Sequence, residues 1–174
     1  MAGMANKPET AKVFVIMGVS GCGKTTVGQA LASHLSCPFY DGDDFHPPEN
    51  VAKMGQGIPL NDDDRWPWLN RLAGLIDGHL TQGTTAVLAC SALKREYREQ
   101  LRLGTEGVVF IYLKGSFDLI WQRMQRREGH YMKAAMLQSQ FAALEEPAAA
   151  EAHVVSIDQN PEAVVQAIIE LAEG

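Results

Sequence analysis

Residues 18–25, Gly-Val-Ser-Gly-Cys-Gly-Lys-Thr, follow an apolar run from Val13 to Met17 and lead into a stretch with helical periodicity from Lys24 to Leu35. This is G-x4-G-K-[ST] in full, in the strand, loop and helix setting that gives the string its physical meaning. The chain must turn tightly enough for several backbone N–H groups to converge on one small volume, a path that Gly18, Gly21 and Gly23 permit. The positive end of the following helix points into the same volume, so the loop is a cradle for phosphate. We assign Gly18, Val19, Ser20, Gly21, Cys22, Gly23, Lys24, Thr25 and Thr26 to nucleotide binding. Lys24 adds a mobile, catalytic charge and the Thr25 hydroxyl a magnesium ligand. Cys22 reads as a small residue tolerated in the loop rather than a reactive thiol.

Around this loop, strand-like apolar runs alternate with amphipathic stretches, the pattern of an α/β chain with a mainly parallel sheet. Strands are predicted at Val13 to Met17, Pro38 to Asp41, Thr85 to Cys90, Val108 to Leu113 and His153 to Ile157. Val27, Leu31 and Leu35 share one face of the helix after the loop. Asn61 through Asp64 supplies a cap and an acidic first turn for a helix to about Leu80, Ser91 and Ser116 precede two more helical patterns in the same way, and Pro161 opens a last one. Residues 1–10 read as a disordered lead-in and 11–174 as a single domain.

A formal net charge of -6 leaves no basic footprint for a nucleic acid. The early apolar run is too short to span a bilayer, and three cysteines at unrelated spacings fit neither a disulfide framework nor a CxxC metal site. The expectation is a cytoplasmic protein with no nucleic-acid or membrane partner.

Where the second acidic group lies separates the classes of protein that carry this loop. The strand ending in Cys90-Ser91-Ala92 lacks the terminal aspartate of a motor ATPase, and no Asn-Lys-x-Asp string is present to read guanine. Carboxylates cluster instead at Asp41, Asp43 and Asp44, after the short second strand, where parallel strand ends place ligands. Strand alternation puts Asp41 and Asp43 on one side, and we assign Asp41 to the metal and Asp43 to the acceptor hydroxyl as base or orienting group. Asp44 is placed outside. A kinase with ATP and Mg2+ as its cofactors is the class that remains.

The segments MGVSGCGKTT, DGDDFHPPENVAKMGQGIPLNDDDRWPWL, CSALKREYR, IYLKG and GHYMKAAMLQSQFAALEEP resemble the gluconate kinases over nearly the whole chain. The layout is similar, more loosely, to the shikimate and nucleoside monophosphate kinases. The resemblance implies a three-layer P-loop kinase fold, with a five-stranded parallel sheet flanked by helices and a mobile lid. It also implies transfer of the ATP γ-phosphoryl to the 6-hydroxyl of D-gluconate, and a homodimer. A polyhydroxy carboxylate needs hydrogen-bond partners and a cation, for which His46, Lys53, Arg65, Lys94 and Arg98 are candidates. By similarity, Asp43, His46, Arg65 and Lys94 are placed at the substrate. Lys53 reads as solvated, and Trp66 and Trp68 as core packing rather than sugar stacking.

Cations gather where a helix is expected to end at Gly129, the hinge of a lid over about 127–145. Arg127 is the candidate for the transferring phosphoryl, with Lys133 as backup and the adjacent Arg126 as an open alternative. Arg123 resembles a position that stacks on adenine, and Gln159, after the fifth strand, lies where adenine is expected. Two rivals stay open: a kinase of this fold with another small acceptor, and a nucleotide-dependent binding or regulatory protein.

Overall fold

The computed structural model describes residues 11–126 and 134–173. Five strands, β1 (Val13–Met17), β2 (Phe39–Asp41), β3 (Ala86–Ala89), β4 (Val108–Lys114) and β5 (His153–Ser156), form one sheet in the order β2-β3-β1-β4-β5. Every pairing is parallel. Each predicted strand is present within a residue or two of its expected ends. Helices α1 (Lys24–Leu35), α2 (Pro48–Gly55), α3 (Asp62–Gln82), α4 (Arg95–Arg102), α5 (Phe117–Gln125), α6 (Ala134–Ala143) and α7 (Pro161–Glu173) flank it.

The central strand shows why the sheet is covered on both faces. All five residues of β1 are buried, and they alternate between two cores. Phe14 and Ile16 join Val27 and Leu31 of α1, Ile120 and Met124 of α5, Leu137 of α6 and Val164 and Ile168 of α7. Val13, Val15 and Met17 point the other way, toward Trp68, Leu69, Leu72 and Ile76 of α3 and Tyr97 and Leu101 of α4. A period of two through a continuous apolar run is what a strand buried on both sides requires.

Helix starts follow the local chemistry. Asn61 and Asp64 form a reciprocal capping box that opens α3, and Ser116 Oγ accepts from the Leu119 N–H to cap α5. Ser91 does not act in this way: α4 begins four residues later, with Lys94 at its N-cap and no side-chain cap, because 91–94 is held as a loop by other contacts described below. Helix α5 ends at Gln125, ahead of the expected stop, and Gly129 lies outside the described residues, as does the lead-in of residues 1–10. Helix α2 has no counterpart among the predicted elements. Of the range expected to form a lid, the described part is largely α6, anchored through the fully buried Leu137.

Candidate active site

The loop from Gly18 to Gly23 runs from the carboxyl end of β1 into the first turn of α1. Gly18, Gly21 and Gly23 have φ of 148°, 80° and 100°, a region that a side chain strains. Gly23 is the N-cap of α1 and brings no capping side chain, so the first N–H groups of the helix keep their donors for a ligand. Lys24 folds back over the loop, its Nζ donating to Gly18 O and Val19 O, each at 3.0 Å. Thr25 and Thr26 are exposed at the mouth, and Cys22 is buried beneath, as a packing residue would be. The loop's entry is fixed by the Gly18 N–H, which donates to Ser91 O at 3.3 Å.

The second acidic group comes from β2. Asp41 closes that strand, and its Oδ1 accepts the Asp43 N–H at 3.0 Å, starting a 3-10 turn over Gly42–Phe45. That turn, not strand alternation, sets Asp43 beside Asp41. Its close approach to β3 needs glycine, since a Cβ on Gly42 would stand 2.7 Å from Ala89 O. The Asp43 side chain is 84% exposed, yet the cleft walls remove part of its hydration. This effect first, and then the neighbouring Asp41 carboxylate, hold Asp43 above the ordinary carboxylate range, against the opposing pull of Lys24 and His46. Asp44 is exposed, as expected. Cys90, buried at the end of β3, is pushed up to about 12 by that burial, so the one thiol behind the carboxylates stays protonated.

His46 stands behind Asp43. Its ring stacks on Trp68 with centroids 4.3 Å apart, and its Nε2 lies 3.8 Å from Asp43 Oδ1. The tautomer follows from the neighbours. Asn50 Nδ2 donates to Asp64 O at 2.8 Å, which identifies it as the amino group. The same nitrogen therefore donates to His46 Nδ1 at 3.2 Å and leaves the imidazole proton on Nε2, toward Asp43. Burial lowers the pKa of this histidine, so the neutral ring is favoured. Trp68 donates its indole N–H to Gly42 O at 2.7 Å, which locks the turn, so it is a core residue with a fixed polar tip.

A second cluster forms where α3 and α4 begin. Asp62 accepts from the Tyr97 hydroxyl and, at 3.1 Å, from Lys94 Nζ, while Arg65 donates to the Tyr97 hydroxyl at 3.1 Å and lies 4.0 Å from Asp62. Arg65 and Lys94 also face the Tyr97 ring, at 5.8 and 5.6 Å. The Tyr97 hydrogen bond first, then Lys94, keeps Asp62 below the ordinary carboxylate range. The two cations assigned to the acceptor are thus brought together around Asp62, which sits one turn from Arg65 on α3, and around Tyr97, which the sequence reading did not single out. Lys53, expected in solvent, instead grips Asp64 with bonds of 2.8 and 2.9 Å.

Arg98 is not open to a ligand. It is 1% exposed and donates to Ala92 O, Leu93 O, Glu145 O and Glu151 Oε1. A guanidinium with these partners organises the loop after β3 instead of meeting a substrate. On the far side, Arg123 donates to Ile157 O at 2.7 Å and Gln159 O at 3.3 Å, which gathers the two residues assigned to adenine at the carboxyl end of β5. Arg126 is exposed at the end of α5; Arg127 and Lys133 lie outside the described residues.

For the implied nucleotide and metal, the chemistry of the donors fits: convergent N–H groups and a lysine for phosphates, and hard oxygen donors in Thr25 and Asp41 for magnesium. Among the described residues no cluster of three or more His, Cys, Asp or Glu side chains could hold a metal by itself.

The family model described as shikimate kinase matches residues 20–173. The thermosensitive gluconokinase of Escherichia coli K12 is 50% identical over 147 residues, covering 84% of this chain and 79% of that protein. The thermoresistant gluconokinase of the same organism is 47% identical over 161 residues, covering 91% and 92%. A crystal structure of a gluconokinase from Sinorhizobium meliloti 1021 superposes with a TM-score of 0.86 at 40% identity, over 95% of this chain and 94% of that one. A shikimate kinase from Bacteroides thetaiotaomicron shares the fold, with a TM-score of 0.64 at 19% identity. With relatives of this order over most of both chains, the chain belongs to the gluconokinase family of ATP-dependent kinases.

Proposed function

We propose that the chain transfers the γ-phosphoryl of ATP to the 6-hydroxyl of D-gluconate, giving 6-phosphogluconate and ADP. The observation that carries this reading is the electrostatic coupling of Asp43 to Lys24 of the phosphate loop and to His46, which is itself coupled to Arg65 of the cation cluster. A sugar acid presents a hydroxyl to be activated at one end and a carboxylate to be held at the other, and these groups answer both needs.

Transfer is in line. Lys24, held over the carbonyls of Gly18 and Val19, meets the negative charge of the terminal phosphates. Asp43 accepts the proton of the attacking hydroxyl, and its raised pKa makes it a better base than an ordinary carboxylate. Neutral His46 presents its Nε2 proton toward Asp43, 3.8 Å away, and favours one orientation of the carboxylate. Arg65 and Lys94 exchange Asp62 for the acceptor carboxylate. Thr25 and Asp41 hold Mg2+, which supplies charge neutralisation across the phosphates when bound. Arg127 is assigned to the transferring group from the lid, with Lys133 and Arg126 as the alternatives, and Arg123 and Gln159 frame adenine. A cytoplasmic homodimer with no nucleic-acid or membrane partner is part of the same proposal; no helix among the described residues is long and apolar enough to cross a membrane.

The test is ADP release from Mg·ATP with D-gluconate, shikimate, AMP or no acceptor. Release stimulated by gluconate alone is the expected result. Stimulation by another acceptor would keep the kinase and discard this substrate, and none with any acceptor would move the chain to a binding or regulatory role.

A further inference from the structure

Gln140 lies on α6, 120 residues from the phosphate loop, and makes two bonds to one residue of it. Its Oε1 accepts the Ser20 N–H at 2.7 Å, and its Nε2 donates to Ser20 Oγ at 2.9 Å. A backbone N–H can only donate, so the orientation of the amide is fixed by its partner. Two bonds from one planar group set both the distance and the tilt of the Ser20 turn.

Helix α6 has the anchorage to impose that setting. Leu137, one turn before Gln140, is fully buried in the core shared with α1 and α5. Just past the helix, the Glu145 N–H donates to Leu93 O at 2.8 Å, and the Glu145 carboxylate accepts the Arg95 N–H at 3.0 Å. One short helix thus reaches the phosphate loop through Gln140 and the start of α4, beside Lys94, through Glu145.

Ser20 also has a defined place along the nucleotide. A loop lysine of this kind reaches the β- and γ-phosphates. Here the Lys24 ammonium rests on the carbonyls of Gly18 and Val19, the residues directly before Ser20. Ser20 therefore stands at the terminal-phosphate end of the cradle, away from the helix start at Gly23.

We infer that Gln140 is a positioning residue for phosphoryl transfer, holding the Ser20 turn at the γ-phosphate end of the cradle through its paired hydrogen bonds. The inference rests on nucleotide binding at the loop but not on the identity of the acceptor. It assigns α6 a part in sensing the third phosphate. ADP, which lacks that phosphate, is recognised largely without Gln140.

The substitution Gln140→Glu separates this role from a simple structural tie. A carboxylate still accepts the Ser20 N–H and also accepts from the Ser20 hydroxyl, so both bonds persist, but a negative charge now faces the terminal phosphate. Calorimetric titration of the full chain with Mg·ADP and with a magnesium complex of a non-hydrolysable ATP analogue gives the readout. The expected result is a loss of about tenfold or more in affinity for the triphosphate analogue, with ADP affinity within about threefold, since like charges oppose each other only when the third phosphate is present. Gln140→Ala is expected to lower kcat by about tenfold with a smaller change in the KM for ATP, because it loosens the reacting geometry more than it weakens binding. Thermal unfolding of the ligand-free variants checks that each is folded, and the Glu variant decides the matter if the Ala variant is not. Equal affinity of wild type and Gln140→Glu for both nucleotides would overturn the assignment, as would equal losses for both. Binding of neither nucleotide by the wild type would remove the site reading beneath it as well, a separate result from the acceptor panel.

Discussion

The donor and acceptor halves of this site are made of different material. On the donor side, eight consecutive residues form the cradle, and what they contribute is mostly backbone: positive φ at three glycines and N–H groups at the start of α1. On the proposed acceptor side, Asp43, His46, Asp62, Arg65, Lys94 and Tyr97 come from separated segments, and nearly all of their contribution is side chain. The cradle's shape comes from short-range sterics, whereas the acceptor cluster takes its shape from ion pairs among its own members. Lys94 spends its charge on Asp62, and Arg65 leans on Tyr97, until an acceptor carboxylate competes for them. One half is therefore set by its covalent chain and the other by a balance of charges that a ligand or a mutation can shift.

Substitutions test that contrast, beginning with the severest. Lys24→Ala should lower kcat/KM by about 10³ or more, the scale of removing a charge partner of the transferring phosphoryl, while the thermal midpoint stays close to wild type. A fall of less than tenfold would mean that the backbone alone carries the donor half.

Asp43→Asn should lower kcat by about 10²–10⁴, as loss of a general base does. Its stability effect has the opposite sign. A carboxyl whose pKa is raised on folding is penalised when ionised, so at neutral pH the amide should unfold at a higher temperature than wild type. The stability difference should shrink as the pH falls through the raised folded value and then the ordinary one, where wild type regains what ionisation cost it. The acid limb of the wild-type rate should lie above the ordinary carboxylate range. Unfolding scans and rate profiles against pH measure both.

Arg65→Lys should raise the KM for gluconate by about ten- to a hundredfold with a smaller change in kcat, because an ammonium keeps the charge and loses the planar pair of donors. An effect on ATP instead of gluconate would break the division between the halves. At the mild end, Ser116→Ala removes the cap of α5, outside both halves, and should cost about 0.5–2 kcal/mol of stability with little change in turnover. Chemical denaturation reads the first quantity and a standard assay the second.

How much of this was legible beforehand follows the same division. The five strands, their parallel character, the start of α1 and the capped, acidic start of α3 rest on local pattern, and the structure has them where expected. Ser91 misled because a serine before a helical pattern looks like a cap, while its carbonyl was already committed to Gly18. Asp41 and Asp43 lie together through a 3-10 turn, which replaces the strand where alternation would put them on one side. Lys53 and Asp64 are eleven residues apart, and nothing in their spacing announces an ion pair. Gln140 lies in one of the segments that resemble the gluconate kinases, but nothing in that segment points to its partner 120 residues away. A helix period of 3.6 on α4 puts Tyr97 and Arg98 among possible inward residues, but only packing reveals that the arginine is one of them.

That buried arginine has a consequence for how the molecule opens. Arg98 holds the carbonyls of Ala92, Leu93 and Glu145 together with the carboxylate of Glu151, so a single side chain stitches the chain after β3 to the chain after α6. Neither segment can swing away without stranding a desolvated cation, and the two should come apart as one event. In a hydrogen-exchange experiment, the amides of Glu145, bonded to Leu93, and of Tyr97, bonded to Lys94, should share one opening free energy, well above that of the chain ends.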